Sequence, residues 1–250
     1  MTKNRLNLLG LVAGAIMISF SGVWVKISHV TPTVSAFYRV FFGGVILLVM
    51  ALVRREVKWR GRQNALLILV CSLFFSLDLL FYHYSIHLVG PGLGTILPNF
   101  QVFILTAVGV IVLKEKLRFS FLAAVPLAVT GLFLIVGIQW HGLSESYRMG
   151  VVFGLAAALC YTAVLLFLRK LQSDQIGKSR FYVLMIVSLV TAMFLAAEVC
   201  RTGASFQIPD MKNIFNFGFL TGITIIMALL SDYFIAPALM VLANKAVSDK

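Results

Sequence analysis

The chain has 250 residues, 60% of them hydrophobic and 12% charged, with a formal net charge of +12. A mean hydropathy of +0.99 excludes a soluble globular domain, because the apolar residues fall in blocks of about 20, the length an α-helix needs to cross a hydrocarbon core. The positive charge lies between those blocks and not along an amphipathic face, so it marks topology and argues against nucleic-acid binding.

Taken in chain order, the blocks predict eight transmembrane helices at residues 6–27, 34–53, 65–88, 93–113, 119–138, 150–168, 181–200 and 217–243. Lys3 and Arg5, followed by the small triplet Ala13, Gly14 and Ala15, imitate a signal peptide, but the apolar run continues to Val25 and reads as an uncleaved span. Sixteen Lys and Arg lie on the N-terminal side, at residues 3–5, 54–62, 114–118, 169–180 and 245–250. The other side has Arg148, Arg201 and Lys212, with Lys26 at a helix edge. That bias places both termini in the cytoplasm and the chain, multi-pass, in the cell membrane. The connecting loops are too short for a catalytic or nucleic-acid-binding module. Trp59 and Trp140, just beyond span ends, suit interfacial anchors. Cys71, Cys160 and Cys200 are odd in number and sit inside apolar blocks, so they offer neither a disulfide framework nor a CxxC site and read as small residues in helix contacts.

An internal repeat is visible. Gly10 and Gly14 open the first block, and Gly150 and Gly154 open the sixth. Both pairs have the GxxxG spacing that lets helix backbones approach closely. Ser76-Leu77-Asp78 in the third block matches Leu230-Ser231-Asp232 in the eighth, each Asp deep in an apolar helix. This register makes the unit five helices long, and an odd number of spans turns the second unit upside down relative to the first. The expected architecture is an all-α polytopic membrane protein of about eight helices. Its two inverted repeats cover residues 6–138, with five helices, and 150–246, with three and no counterpart of residues 90–137.

Further fragments occur in fixed order. They are Ser21-Gly22-Val23-Trp24 in the first span, Pro32 followed by Ala36, Phe37, Tyr38 and Arg39 entering the second, and Pro98 in the fourth. Lys114-Glu115-Lys116-Leu117 closes that span, and residues 131–137 run from glycine to glycine in the fifth. Over about 140 residues this series resembles the drug/metabolite transporter superfamily, and within it the EamA family built from two EamA domains. The resemblance implies a central substrate vestibule lined by helices of both units. The last two helices of that pattern are lacking, so the expected chain is either a shortened product or one that assembles as a homodimer or with a complementing membrane subunit.

Intramembrane polar residues are the site candidates, because a charge at the bilayer centre costs about 2.5–3.5 kcal/mol on insertion scales. Asp78 is followed at i+4 and i+7 by Tyr82 and Ser85, one stripe of a helix. That stripe either faces a transport cavity, where Asp78 carries a proton, or holds a protonated Asp78 hydrogen-bonded to a neighbouring helix. Asp232 has the same two readings. Arg39 lies about one and a half turns inside the second span, where its side chain either snorkels outward or faces the cavity; the resemblance favours the cavity. Trp24, Tyr161 and Asn99 complete the substrate-cavity set, Asn99 following a proline that frees a backbone carbonyl of its own helix. His83 and His87 are four apart, but spacing fixes no third ligand, so neither a metal nor a cofactor is expected.

No GxxxxGK[ST], HExxH or GxSxG element occurs. An intramembrane aspartyl protease needs YD and GxGD signatures, where this chain has Leu77-Asp78 and Ser231-Asp232. The chain therefore reads as no enzyme. It reads as a secondary transporter or exporter that moves a small metabolite or drug-like solute by alternating access, with proton coupling through Asp78. The alternative is a truncated, non-transporting remnant or assembly subunit. The partners are a small-molecule substrate and the lipid bilayer, with no nucleic acid. The topology predicts that a reporter fused to the C-terminus is active only in the cytoplasm; a periplasmic readout means that a span has been miscounted.

Overall fold

The computed structural model describes residues 31–53, 62–111, 126–127, 129–131, 134, 142–173 and 180–204. The first and eighth expected spans, most of the fifth, and with them Gly10, Gly14, Trp24, Trp59, Trp140 and Asp232, lie outside the described residues. Among the described residues all regular structure is helical. The elements are α1 (Pro32–Val53), α2 (Arg62–Val89), α3 (Pro91–Ile96), a 3-10 turn (Leu97–Phe100), α4 (Gln101–Ile111), α5 (Glu145–Ser173) and α6 (Arg180–Arg201).

Five stretches are long and apolar enough to cross a membrane: Pro32–Val53, Ala65–Val89, Pro91–Ile111, Glu145–Leu171 and Tyr182–Arg201. They coincide with the second, third, fourth, sixth and seventh expected spans, and the chain is an all-α polytopic membrane protein. Their ends follow local rules. Pro32 starts α1, where its missing N–H costs nothing. Ser144 caps α5 by accepting the Tyr147 N–H at 3.3 Å, which carries that helix outward beyond its apolar block. Gly90, at φ 86°, stops α2 and lets Pro91 start α3 at once. Gly203, at φ 64°, closes α6 with the Schellman bonds Ala204 N–H to Val199 carbonyl at 3.2 Å and Gly203 N–H to Cys200 carbonyl at 3.3 Å.

α2 is the central helix, packed against α1, α3, α5 and α6. The apolar clusters give the directions. Cys71 near the start of α2 meets Val164 and Leu171 late in α5 and Val183 and Val187 early in α6. Ala36 and Val40 early in α1 meet Ala192 and Leu195 late in α6, while Leu47 and Ala51 meet Tyr182 and Met185. At the other end of α2, Val89 joins Leu97, Tyr147 and Val151. The helices thus alternate up and down in the order that the basic patches predict.

In lipid no hydrophobic force presses apolar helices together, so close packing and interhelical hydrogen bonds must hold them. Ser72 donates to the Val187 carbonyl at 3.2 Å and Thr191 donates back to the Ser72 carbonyl at 3.2 Å, a reciprocal clasp between α2 and α6. The closest packing is on α5. A Cβ on Gly150 would stand 2.6 Å from Val89 Cγ1, and one on Gly154 would stand 2.6 Å from Leu97 Cβ and 3.0 Å from Ser85 Oγ. The GxxxG pair therefore presses α5 onto the end of α2 and onto the 3-10 turn.

The fourth expected span departs from a continuous helix. Pro98 has no N–H to give back to its own helix, and the chain tightens into the 3-10 turn between α3 and α4. A side chain helps to repair the break: Asn99 Nδ2 donates to the Thr95 carbonyl at 3.0 Å, the i−3 acceptor that Pro98 cannot serve, while Thr95 Oγ1 donates back to the Pro91 carbonyl at 2.8 Å.

Gly154→Ala and Gly150→Ala should each lower stability in detergent by about 1–3 kcal/mol through overpacking. Gly92→Ala, with open space around it, should stay within about 0.5 kcal/mol. Thermal unfolding of the purified variants checks the contrast.

Candidate functional site

The site grows from two charges placed on facing helices. Arg39 lies seven residues from the start of α1 and Tyr82 seven residues from the end of α2. At 1.5 Å per residue each is ~10 Å from the same end of the bundle. Because the helices are antiparallel, equal depth brings the two together, and Arg39 Cζ sits 5.5 Å from the centre of the Tyr82 ring. This is a cation–π contact, worth about 0.5–2 kcal/mol depending on its desolvation.

Asp78 lies one turn deeper on α2, about 5.4 Å further along the axis. It is 7% exposed and stands near the midpoint of the Ala65–Val89 span. The offset of one turn keeps Arg39 and Asp78 within electrostatic reach of one another without a direct ion pair. The field of Asp78 also reaches the Cys160 thiol on α5. Among the described residues the Asp78 carboxyl has no hydrogen-bonding donor.

His83 is fully buried beside this pair. Its Nδ1 stands 2.7 Å from the Leu79 carbonyl, which only accepts, so Nδ1 carries the hydrogen and the Nε2 of a neutral ring is left as an acceptor. Arg39 and His87 both act on His83 electrostatically. Ser35, at 0% exposure, precedes Arg39 by one turn on the same face of α1.

Buried polar atoms normally have partners, yet among the described residues Ser35 Oγ, Arg39 Nη1, His83 Nε2 and Ser85 Oγ have none. All four belong to α1 or α2. Gln101 Oε1 and Arg148 Nε share the condition on α4 and α5.

Of the residues singled out by sequence, Arg39, Asp78 and Tyr82 come together. Ser85 continues their stripe and is buried against the Gly154 position. Asn99 is exposed and its amide is committed to the Thr95 carbonyl. Tyr161 packs against the cluster of Cys71 and Val164, toward the opposite end of α2 from Tyr82. Trp24 and Asp232 lie outside the described residues. Cys160, His83 and Ser35 join the neighbourhood without having been chosen as cavity residues. Ser35 alone carried a signal, its i−4 spacing from Arg39. Among the described residues no group of three His, Cys, Asp or Glu could hold a metal ion.

Residues 5–137, more than half of the chain, match the model of the EamA-like transporter family. A solved crystal structure of a protein aligns over 97% of this chain and 89% of its own length, with a TM-score of 0.61 and 18% identity, a likeness of fold alone. No curated protein matches the sequence.

Tyr82→Leu removes the ring beneath Arg39 and should destabilise the protein by about 0.5–2 kcal/mol, whereas Tyr82→Phe should retain most of the contact. Thermal unfolding in detergent reads the difference, and equal losses in the two variants would show that the ring contributes no cation–π energy.

Proposed function

Because this chain belongs to the EamA-like transporter family, we propose that it is a secondary transporter that moves a small metabolite or drug-like solute by alternating access, with Asp78 carrying a proton. Membership makes it a multi-pass membrane transporter; the solute, the cycle and the coupling are the reading offered here.

The observation that carries the reading is the position of Asp78, near mid-membrane, almost fully buried, without a hydrogen bond among the described residues, and one turn from a cation. A structural Asp in hydrocarbon is expected to be protonated and bonded to a neighbouring helix. Among the described residues Asp78 has no such bond, so the packing role lacks its partner.

Protonation switches the charge of this region. With Asp78 ionised, its charge offsets that of Arg39; with Asp78 protonated, the guanidinium stands alone. A charge change costing about 2.5–3.5 kcal/mol at the bilayer centre shifts a two-state equilibrium by about two orders of magnitude, at 1.4 kcal/mol per tenfold. That range is sufficient for a proton to bias which side of the membrane the cavity faces. Among the described residues the groups that interact with Asp78 or Arg39, besides one another, are Tyr82 and His83 on α2 and Cys160 on α5.

In proteoliposomes holding a trapped pH-sensitive dye, a panel of small solutes should include some whose addition drives proton movement through the wild-type protein. Asp78→Asn should reach the membrane in normal amounts and abolish that movement. Unchanged proton flux in Asp78→Asn overturns the coupling role, and absence of flux for the whole panel favours the assembly-subunit alternative.

A further inference from the structure

We propose that Arg39 is the binding point for a carboxylate on the transported solute, so that this chain selects small monocarboxylates over neutral or dianionic solutes. The inference rests on the transporter reading and names the substrate class of the same site.

Four observations carry it. First, Arg39 is a guanidinium within a membrane span, and the protein supplies it with a ring face instead of an anion: Tyr82 lies under Cζ at 5.5 Å and Nη1 is buried without an acceptor. The ring offers Arg39 no oxygen acceptor, and Nη1 is left with N–H donors to give. Guanidinium donors match a carboxylate in bidentate fashion.

Second, the side chain as a whole is only partly buried, so the cation is enclosed without being sealed. Third, Ser35 stands one turn toward the start of α1 on the same face, fully buried, with an unpartnered Oγ.

Fourth, the charge balance selects the class of anion. Among the described residues Arg39 is the one cation placed among these groups, and Asp78 lies within its electrostatic reach. With Asp78 protonated, the single positive charge of Arg39 matches a monoanion and leaves a dianionic phosphate uncompensated. His83, on which Arg39 acts electrostatically, presents its Nε2 as an acceptor when the ring is neutral and adds no donor for a second anionic charge.

The test compares benzoate with its neutral isostere benzamide and with inorganic phosphate, as ligands of the purified full chain at matched ionic strength. Ligand-induced shifts in thermal unfolding are the readout. Benzoate should stabilise the wild-type protein in a saturable way, with benzamide and phosphate far weaker. Arg39→Gln should weaken benzoate at least tenfold, and Arg39→Lys should keep part of the affinity because the charge remains. Should Arg39→Gln fail to fold, the wild-type comparison of benzoate with benzamide decides alone.

Equal stabilisation by benzoate and benzamide, undiminished benzoate binding in Arg39→Gln, or phosphate binding as tightly as benzoate each overturns the proposal. Selective benzoate binding without any solute flux supports this site while overturning the transporter reading. Flux of neutral solutes that is indifferent to Arg39→Gln does the reverse.

Discussion

The contact on which the other helix positions depend is the approach of α5 to α2 and the 3-10 turn at Gly150 and Gly154. Neither position has room for a single methyl group. In a solvent as apolar as the side chains themselves, such surface fit has to supply what water expulsion supplies elsewhere. Once the backbones are this close, Phe153 stacks on Phe81 with ring centres 5.7 Å apart and Phe167 on Phe74 at 5.9 Å, which aligns the two helices along much of their length. That alignment fixes the depth of α2. The α2–α6 clasp of Ser72 and Thr191, and α6 packing against α1, carry the same register across to Arg39.

What sequence could show is what hydrocarbon demands of a single helix. Apolar blocks located five spans because a spanning segment must be long and apolar, and GxxxG marked the tightest contact because only glycine fits there. The ends of α5 were less legible: hydropathy sees the block from Gly150 to Leu168, whereas the Ser144 cap and the polar turn through Lys170 extend the helix beyond it. Pro98 signalled a disturbance in the fourth span. It did not signal that Asn99 would be spent on repairing it, since that depends on a side-chain bond formed only once the turn has tightened.

The site was half legible for a related reason. Spacing along one chain relates Asp78, Tyr82 and Ser85 because they share a helix. The pairing of Arg39 with Tyr82 requires two helices to be laid antiparallel and compared by distance from a common end, which sequence alone does not do. That comparison also explains why Arg39 meets an aromatic ring and not the acid one turn further along. The molecule keeps its opposite charges near one another but apart and, among the described residues, leaves polar atoms of Ser35 and Arg39 on α1 and of His83 and Ser85 on α2 without partners. A structural core would pair such groups; a surface that receives a solute leaves them available.

The break at Leu97 has a mechanical consequence. Leu97 is completely enclosed against Gly154, and Gly94 of α3 is pressed against the backbone of Ile86, so the upper rod of the fourth span is locked to its neighbours. Beyond the turn, α4 packs on α5 with a longer contact, Thr162 Oγ1 donating to the Gln101 carbonyl at 3.5 Å, and most of its side chains are half-buried. The span is therefore two rods joined at a turn, and a single leucine seated in a glycine socket fixes where the first of them ends. A shift of α5 at Gly154 would be passed to the fourth span at that turn.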